Sequence, residues 1–186
     1  MVALALLLLT GTLHAQDGAV LFAPAHESVV SPGPLRIIGR AAGKASLTLD
    51  GKVLTTVAPA PGVVLAEIQI AEGRHELILT GEDGEAKVSF FAGKEHSGWK
   101  TFRPHPPGLV ACDTCHAVKN GEWAMKRATL SPLCHSCHNL EQFPKVHAPH
   151  NTGTLVDCQN CHYPHGSAAG KHLRMEKAVA CKQCHS

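Results

Sequence analysis

The chain has 186 residues, of which 44% are hydrophobic and only 4% aromatic, with 17 Lys/Arg against 15 Asp/Glu and a formal net charge of +2. Neither that near-balance nor the few aromatic residues leaves a basic–aromatic stripe of the kind that stacks on nucleic-acid bases, so nucleic acid is excluded as a partner. The 14 His and 8 Cys stand out, and all the Cys and most of the His fall in the second half of the chain.

Residues 2–13 are apolar and are followed by His14-Ala15-Gln16. A bilayer span needs about 20 such residues, so the stretch is too short to cross and instead predicts a secretory signal peptide over residues 1–15, cut after Ala15. Its leading end carries no Lys or Arg, which points to a start codon upstream of Met1. No Cys lies near the cut to carry a lipid, and no other segment is long and apolar enough for a transmembrane anchor. The expectation is an exported protein, periplasmic or extracellular.

Residues 18–95 contain no Cys and consist of short apolar or alternating runs at 19–23, 35–41, 45–49, 52–57, 63–70, 74–80 and 86–91. Turn signals separate them, among them Pro32-Gly33-Pro34, Asp50-Gly51, Glu72-Gly73 and Asp83-Gly84. Asp-Gly between alternating runs is a strong hairpin signal. Seven short strands at this spacing predict an antiparallel β-sandwich. The pattern resembles the immunoglobulin-like modules of exported bacterial proteins, without the Cys and Trp hallmarks of antibody domains.

Residues 96–104, with His96 and Pro104 and no apolar period, predict a linker. Beyond it the composition changes: Cys112-Asp-Thr-Cys115-His116, Cys134-His-Ser-Cys137-His138, Cys158-Gln-Asn-Cys161-His162 and Cys181-Lys-Gln-Cys184-His185 use every cysteine of the chain. Cys-x-x-Cys-His is the attachment sequence for a c-type haem: the thiols add to the vinyl groups and the adjacent His becomes the proximal iron ligand. Zinc sites also use Cys pairs but do not require His directly after the second Cys of each. A thioredoxin-like site would need a single such pair beside a βαβ unit, and disulfides give no reason for the histidines. The cofactor expected is four haem c. Their propionates would bring about eight negative charges, and the excess of Lys/Arg over Asp/Glu from His96 onward reads as local compensation.

Few segments in this half could form more than two helical turns; 122–130 and 171–179 are the best candidates. A region this short holding four haems has no ordinary core, so the macrocycles must organise it, with folding coupled to their attachment. The fold class expected is two-domain: the β-sandwich, then a haem-organised multihaem cytochrome c domain over 105–186 with short helices and little regular structure.

Two modules, about 105–138 and 147–186, repeat one layout: an upstream His-x-Pro element, a haem motif, a short spacer and a second motif. With Cys161-His-Tyr-Pro-His165-Gly-Ser, this resembles the doubled CxxCH family of exported multihaem cytochromes over roughly 103–186. The resemblance implies distal ligands at His105, His147 and His165. In module one the place of His165 is taken by Lys119, so one haem must find its ligand elsewhere; His150 and His172 are the spare histidines. His26, His75 and His96 read as ordinary residues, and His135 is confined between attached cysteines. Trp99, Trp123 and Tyr163 are expected to pack on haem.

Two imidazoles per iron leave no vacant position, which implies electron transfer with redox partner proteins rather than catalysis. Two further expectations stay open: assembly into a homo-oligomer or filament with a His supplied in trans, and a reductase with one open haem.

Overall fold

A computed structural model describes residues 18–105, 111–127, 131–139 and 157–185. The predicted signal peptide and two candidate ligands, His147 and His150, lie outside the described residues.

Residues 18–104 form two sheets facing one core. The first sheet has the order β1 (Val20–Ala23), β3 (Gly33–Arg40), β6 (Val63–Ile70). The second runs β5 (Lys52–Val53), β4 (Ser46–Leu49), β7 (Gly73–Gly81), β8 (Gly84–Ala92), β2 (Ser28–Val30), β9 (Lys100–Thr101). Period-2 alternation drives this arrangement: Leu77 and Leu79 of β7, Val88 and Phe90 of β8, Ile37 of β3, and Val64 and Ala66 of β6 point into one buried cluster. The intervening residues carry the polar face, including the cross-strand Arg36–Glu67 ion pair.

All seven predicted runs contain strands, but the sandwich is not wholly antiparallel. β2, which the runs did not include, pairs in parallel with both β8 and β9. Ser28-Val29-Val30 is too short and too fully buried to show alternation.

The segment expected as a linker is tied into both halves. Lys100–Thr101 joins the second sheet, the Phe102 N–H donates to the Val29 carbonyl at 2.7 Å, and the Phe102 side chain is buried in the sandwich cluster. The next two residues form β10 (Arg103–Pro104), which pairs with β13 (Gly166–Ser167) far along the chain.

The helix expected over 122–130 is corrected. β11 (His116–Lys119) and β12 (Glu122–Met125) form an antiparallel hairpin around Asn120-Gly121. Both turn residues have positive φ, 54° and 80°, the geometry of a primed two-residue turn, and Asn-Gly is its strongest sequence signal. The helix expected over 171–179 is displaced. A 3-10 turn covers Gly170–His172, Lys171 and His172 take left-handed conformations that break it, and the helix proper is Lys177–Lys182. The other helix, α1 (Ser131–Cys134), ends at the second haem motif. Among the described residues no helix is long and apolar enough to cross a membrane.

Candidate haem-binding site

Each Cys-x-x-Cys-His motif is built on one tight turn. The second cysteine's N–H reaches the first cysteine's carbonyl at 3.1–3.2 Å in all four (Cys115, Cys137, Cys161 and Cys184). In three motifs the His N–H also reaches that carbonyl: His138 at 2.8 Å, His162 at 2.9 Å and His185 at 3.0 Å. A helical turn places positions i, i+3 and i+4 on one face, so two thiols and one imidazole address the same side. In the first motif the chain leaves the turn at His116, which opens β11. None of the eight cysteines is paired in a disulfide.

The motifs of different modules meet. Cys134 and Cys158 adjoin, and the Cys134 thiol is pushed up to about 11 by burial, then by the charge and hydrogen bonding of Cys158, with Cys115 and Asp157 adding. Buried Ser131 ties the contact: its Oγ accepts from the Cys158 N–H at 3.3 Å and lies 3.4 Å from the Cys158 Sγ. A second junction is a cleft of about 260 Å³ lined by Cys161 and Cys184 together with Asn160, Arg174, Met175 and Gln183. Motifs two and three thus lie side by side, as do three and four.

Two pairs of imidazoles face one another. His116 and His165 have ring centroids 6.0 Å apart with planes 19° from parallel; His105 and His138 stand at 5.8 Å and 22°. Metal–imidazole bonds of about 2 Å, plus about 1 Å from each nitrogen to its ring centre, put trans imidazole centroids roughly 6 Å apart. The centroid separations of both pairs, 6.0 Å and 5.8 Å, are of the size that an iron held between two imidazoles would need. Among the described residues no three His, Cys, Asp or Glu groups are spaced to hold a bare metal ion. Two imidazoles with flanking thiols suit a metal that brings its own equatorial ligands, as haem iron does.

The hydrogen bonds favour metal-binding tautomers. His105 Nδ1 lies 3.1 Å from the Pro164 carbonyl and His162 Nδ1 lies 2.9 Å from the Lys171 carbonyl. A carbonyl only accepts, so Nδ1 is the donor here and in the neutral ring Nε2 has the lone pair, the arrangement usual behind ligating histidines. Left-handed Lys171 aims its carbonyl at His162. Burial holds His165 down to about 4, with His116 and His105 adding. Burial also lowers His116, opposed by the Ala124 backbone, and lowers His172, with His105, Arg103, His162 and His138 adding. Nδ1 of His116 is buried without a well-formed hydrogen bond, as is Nδ1 of His172. These rings are kept neutral, the state that binds metal.

His165 crosses the module boundary. The resemblance assigns it to module two, whereas its ring lies 6.0 Å from that of His116 in module one. His172 packs edge-on to His105 at 5.1 Å. Trp123 lies against His116 at 5.0 Å and Tyr163 sits edge-on to His165 at 6.2 Å. Trp99 contacts His96 at 4.6 Å and lies under Arg74 at 5.5 Å, on the sandwich. His75 bonds Asp50 at 2.7 Å and the Ala71 carbonyl at 3.0 Å, and His26 accepts from the Ser89 N–H at 3.2 Å, so both serve local structure.

One residue escaped the sequence reading. Phe22 of the sandwich lies 5.7 Å from His165 and 6.4 Å from Tyr163, both tilted, and such pairs contribute about 0.5–1.5 kcal/mol beyond area burial. Its signal was available: neighbouring Leu21 faces the core, so Phe22 is a large apolar side chain at an outward strand position.

A family model described as the doubled CXXCH motif matches residues 147–186, the whole of the second module. That motif indicates covalent c-type haem binding and the multihaem cytochrome type of electron-transfer protein. No curated protein matches the chain. Among solved structures, the fibronectin(III)-like modules of Clostridium thermocellum CbhA align at 22% identity and a TM-score of 0.33, covering 42% of this chain and 99% of theirs. A polysaccharide lyase aligns at 7% identity and a TM-score of 0.34, covering 43% of this chain and 12% of the lyase.

Proposed function

We propose that this protein is an electron-transfer protein carrying four covalently bound c-type haems with mostly bis-His axial ligation, acting in the periplasm or outside the cell. The observation that carries this reading is the facing of His116 by His165 and of His138 by His105 at the separation that two axial ligands need. Cys112/Cys115, Cys134/Cys137, Cys158/Cys161 and Cys181/Cys184 are the attachment points, and His116, His138, His162 and His185 the proximal ligands. His165 is the distal ligand of the first site and His105 of the second. The third and fourth sites draw on His147, His150 and His172.

When bound, haem supplies a one-electron centre whose potential follows its ligands, burial and neighbouring charge. The residues of the chain do the rest. The His116/His165 and His105/His138 pairs would hold the iron from both sides, which would keep small molecules off it and favour electron transfer over catalysis. Nδ1 bonds from His105 and His162 to backbone carbonyls orient the rings. Adjoining Cys134 and Cys158 bring the two modules' attachment points together, as a conduit requires.

The test is the haem content and spin state of the oxidised holoprotein. Four haems per chain with low-spin spectra are expected. His165→Ala should convert about a quarter of the haem to a high-spin form that binds CO when reduced. A wild-type protein already rich in high-spin haem would overturn the bis-His assignment.

A further inference from the structure

The strand that carries Phe22 is irregular at that residue. β1 pairs with β3 through Leu21↔Gly39 and then Ala23↔Ile38, so Phe22 is the extra residue of a β-bulge. A bulge leaves one side chain out of the alternating register and re-aims it, and bulges are over-represented beside functional sites. Here Leu21 and Ala23 belong to the sandwich core, while Phe22 projects from it onto the His165 imidazole and the Tyr163 ring.

Around that contact the sandwich holds the His165 segment by several independent means. Pro104 pairs with Gly166 and Arg103 with Ser167. A Cβ on Gly166 would come within 2.7 Å of the Phe102 ring, whose other surroundings are the sandwich core. Gly166, Ser167 and Ala169 are buried, and Lys100 forms an ion pair with Glu176. Such anchoring brings the segment close to the sandwich but leaves the imidazole free to turn about its own bonds. Besides His116, the Phe22 and Tyr163 rings lie against the His165 imidazole, at 5.7 Å and 6.2 Å, where they can limit that rotation.

We infer that the β-sandwich is a wall of the first haem site and that bulged Phe22 is a positioning residue, setting the plane of the His165 imidazole and keeping water from it. This inference rests on reading His116 and His165 as axial partners. It assigns the β-domain a function within the redox centre, in place of a detachable docking or spacing role. The near-parallel planes of His116 and His165, 19° apart, correspond to the rhombic type of low-spin ferric signal expected of parallel axial imidazoles. Removing the ring should let His165 rotate and admit water. Water stabilises the more highly charged ferric state, so the potential of this one haem should fall.

The experiment uses the full-length holoprotein with Phe22→Ala, Phe22→Tyr and His165→Ala, each checked for haem content and sandwich melting. Electron paramagnetic resonance and a potentiometric titration are the readouts. Phe22→Ala is expected to change one low-spin component and to lower one potential while the other three stay in place. Phe22→Tyr, which keeps the ring, should restore both. Unchanged spectra and potentials in Phe22→Ala, with His165→Ala giving one high-spin haem, would overturn the positioning role and leave the axial assignment standing. Absence of a high-spin haem in His165→Ala would overturn the axial assignment itself. If Phe22→Ala lowers the melting temperature yet leaves spectrum and potentials unmoved, Phe22 is only a packing residue and the inference fails.

Discussion

Gly166→Ala gives the most direct test of how the two halves are joined. Gly166 has φ +113°, a region that side-chain-bearing residues rarely enter, and an added Cβ would lie 2.5 Å from the Arg103 carbonyl oxygen, 2.7 Å from Phe102 Cζ and 2.9 Å from Pro104 Cα. Two of these neighbours are backbone atoms of β10 and cannot swing aside. Sparsely populated backbone costs about 1–3 kcal/mol and overpacking about 1–3 kcal/mol, so the docked state should lose about 2–6 kcal/mol. A segment can escape such strain by opening locally, which caps the global cost. The expected result is therefore that β13 detaches from β10 and His165 leaves His116. At about 1.4 kcal/mol per tenfold change, even the lower figure shifts docking roughly thirtyfold. The assay is the high-spin fraction of the oxidised holoprotein and CO binding after reduction, followed beside a melt of the β-sheet circular dichroism signal. Gly170→Ala is the control, since a Cβ there meets nothing within 4 Å and should leave spectrum and melt unchanged. A fully low-spin Gly166→Ala protein with an unaltered melt would refute the reasoning, because it would mean that β10 and β13 do not hold His165.

Phe90→Ala removes a fully buried ring from the sandwich core and should cost about 3–5 kcal/mol, read as a lower midpoint in a denaturant titration followed by β-sheet signal. Glu67→Gln breaks the ion pair in which Glu67 Oε1 accepts from Arg36 at 2.7 Å, but Glu67 is 60% exposed, so the midpoint should move by less than about 1 kcal/mol. Replacing Cys181 and Cys184 together by Ser should reduce the haem content from four to three per chain by intact mass. A ratio that stays the same would exclude that motif as an attachment point.

The strands of the sandwich were legible because alternation and turn chemistry are local. Val63–Ile70 and the hairpin at Asp50-Gly51 appear where their residues place them. The hairpin at Asn120-Gly121 was equally legible, since its turn signal stands beside alternating residues; the helix read over 122–130 instead gave Ala, Met, Lys and Leu propensity too much weight against it. β2 was illegible because a short, wholly buried strand has no period to read. Parallel pairing with β8 and β9 depends on chain segments distant from it.

Among the candidate ligands, the attachment motifs could be read from sequence, because in three of the four the thiols and imidazole at i, i+3 and i+4 share one turn, and the first departs from it only at His116. The opposing imidazoles could not. The repeat placed His165 in its own module and left a gap at Lys119, whereas the β10–β13 pairing carries His165 across to His116 and the Pro164 carbonyl turns His105 toward His138. Sequence alone determined which residues can attach haem, since that chemistry is contained in five consecutive positions. Which histidine lies against which, and that a phenylalanine of the β-sandwich contacts one of them, was decided only by the tertiary structure, because contacts between distant segments arise from packing and no local spacing encodes them.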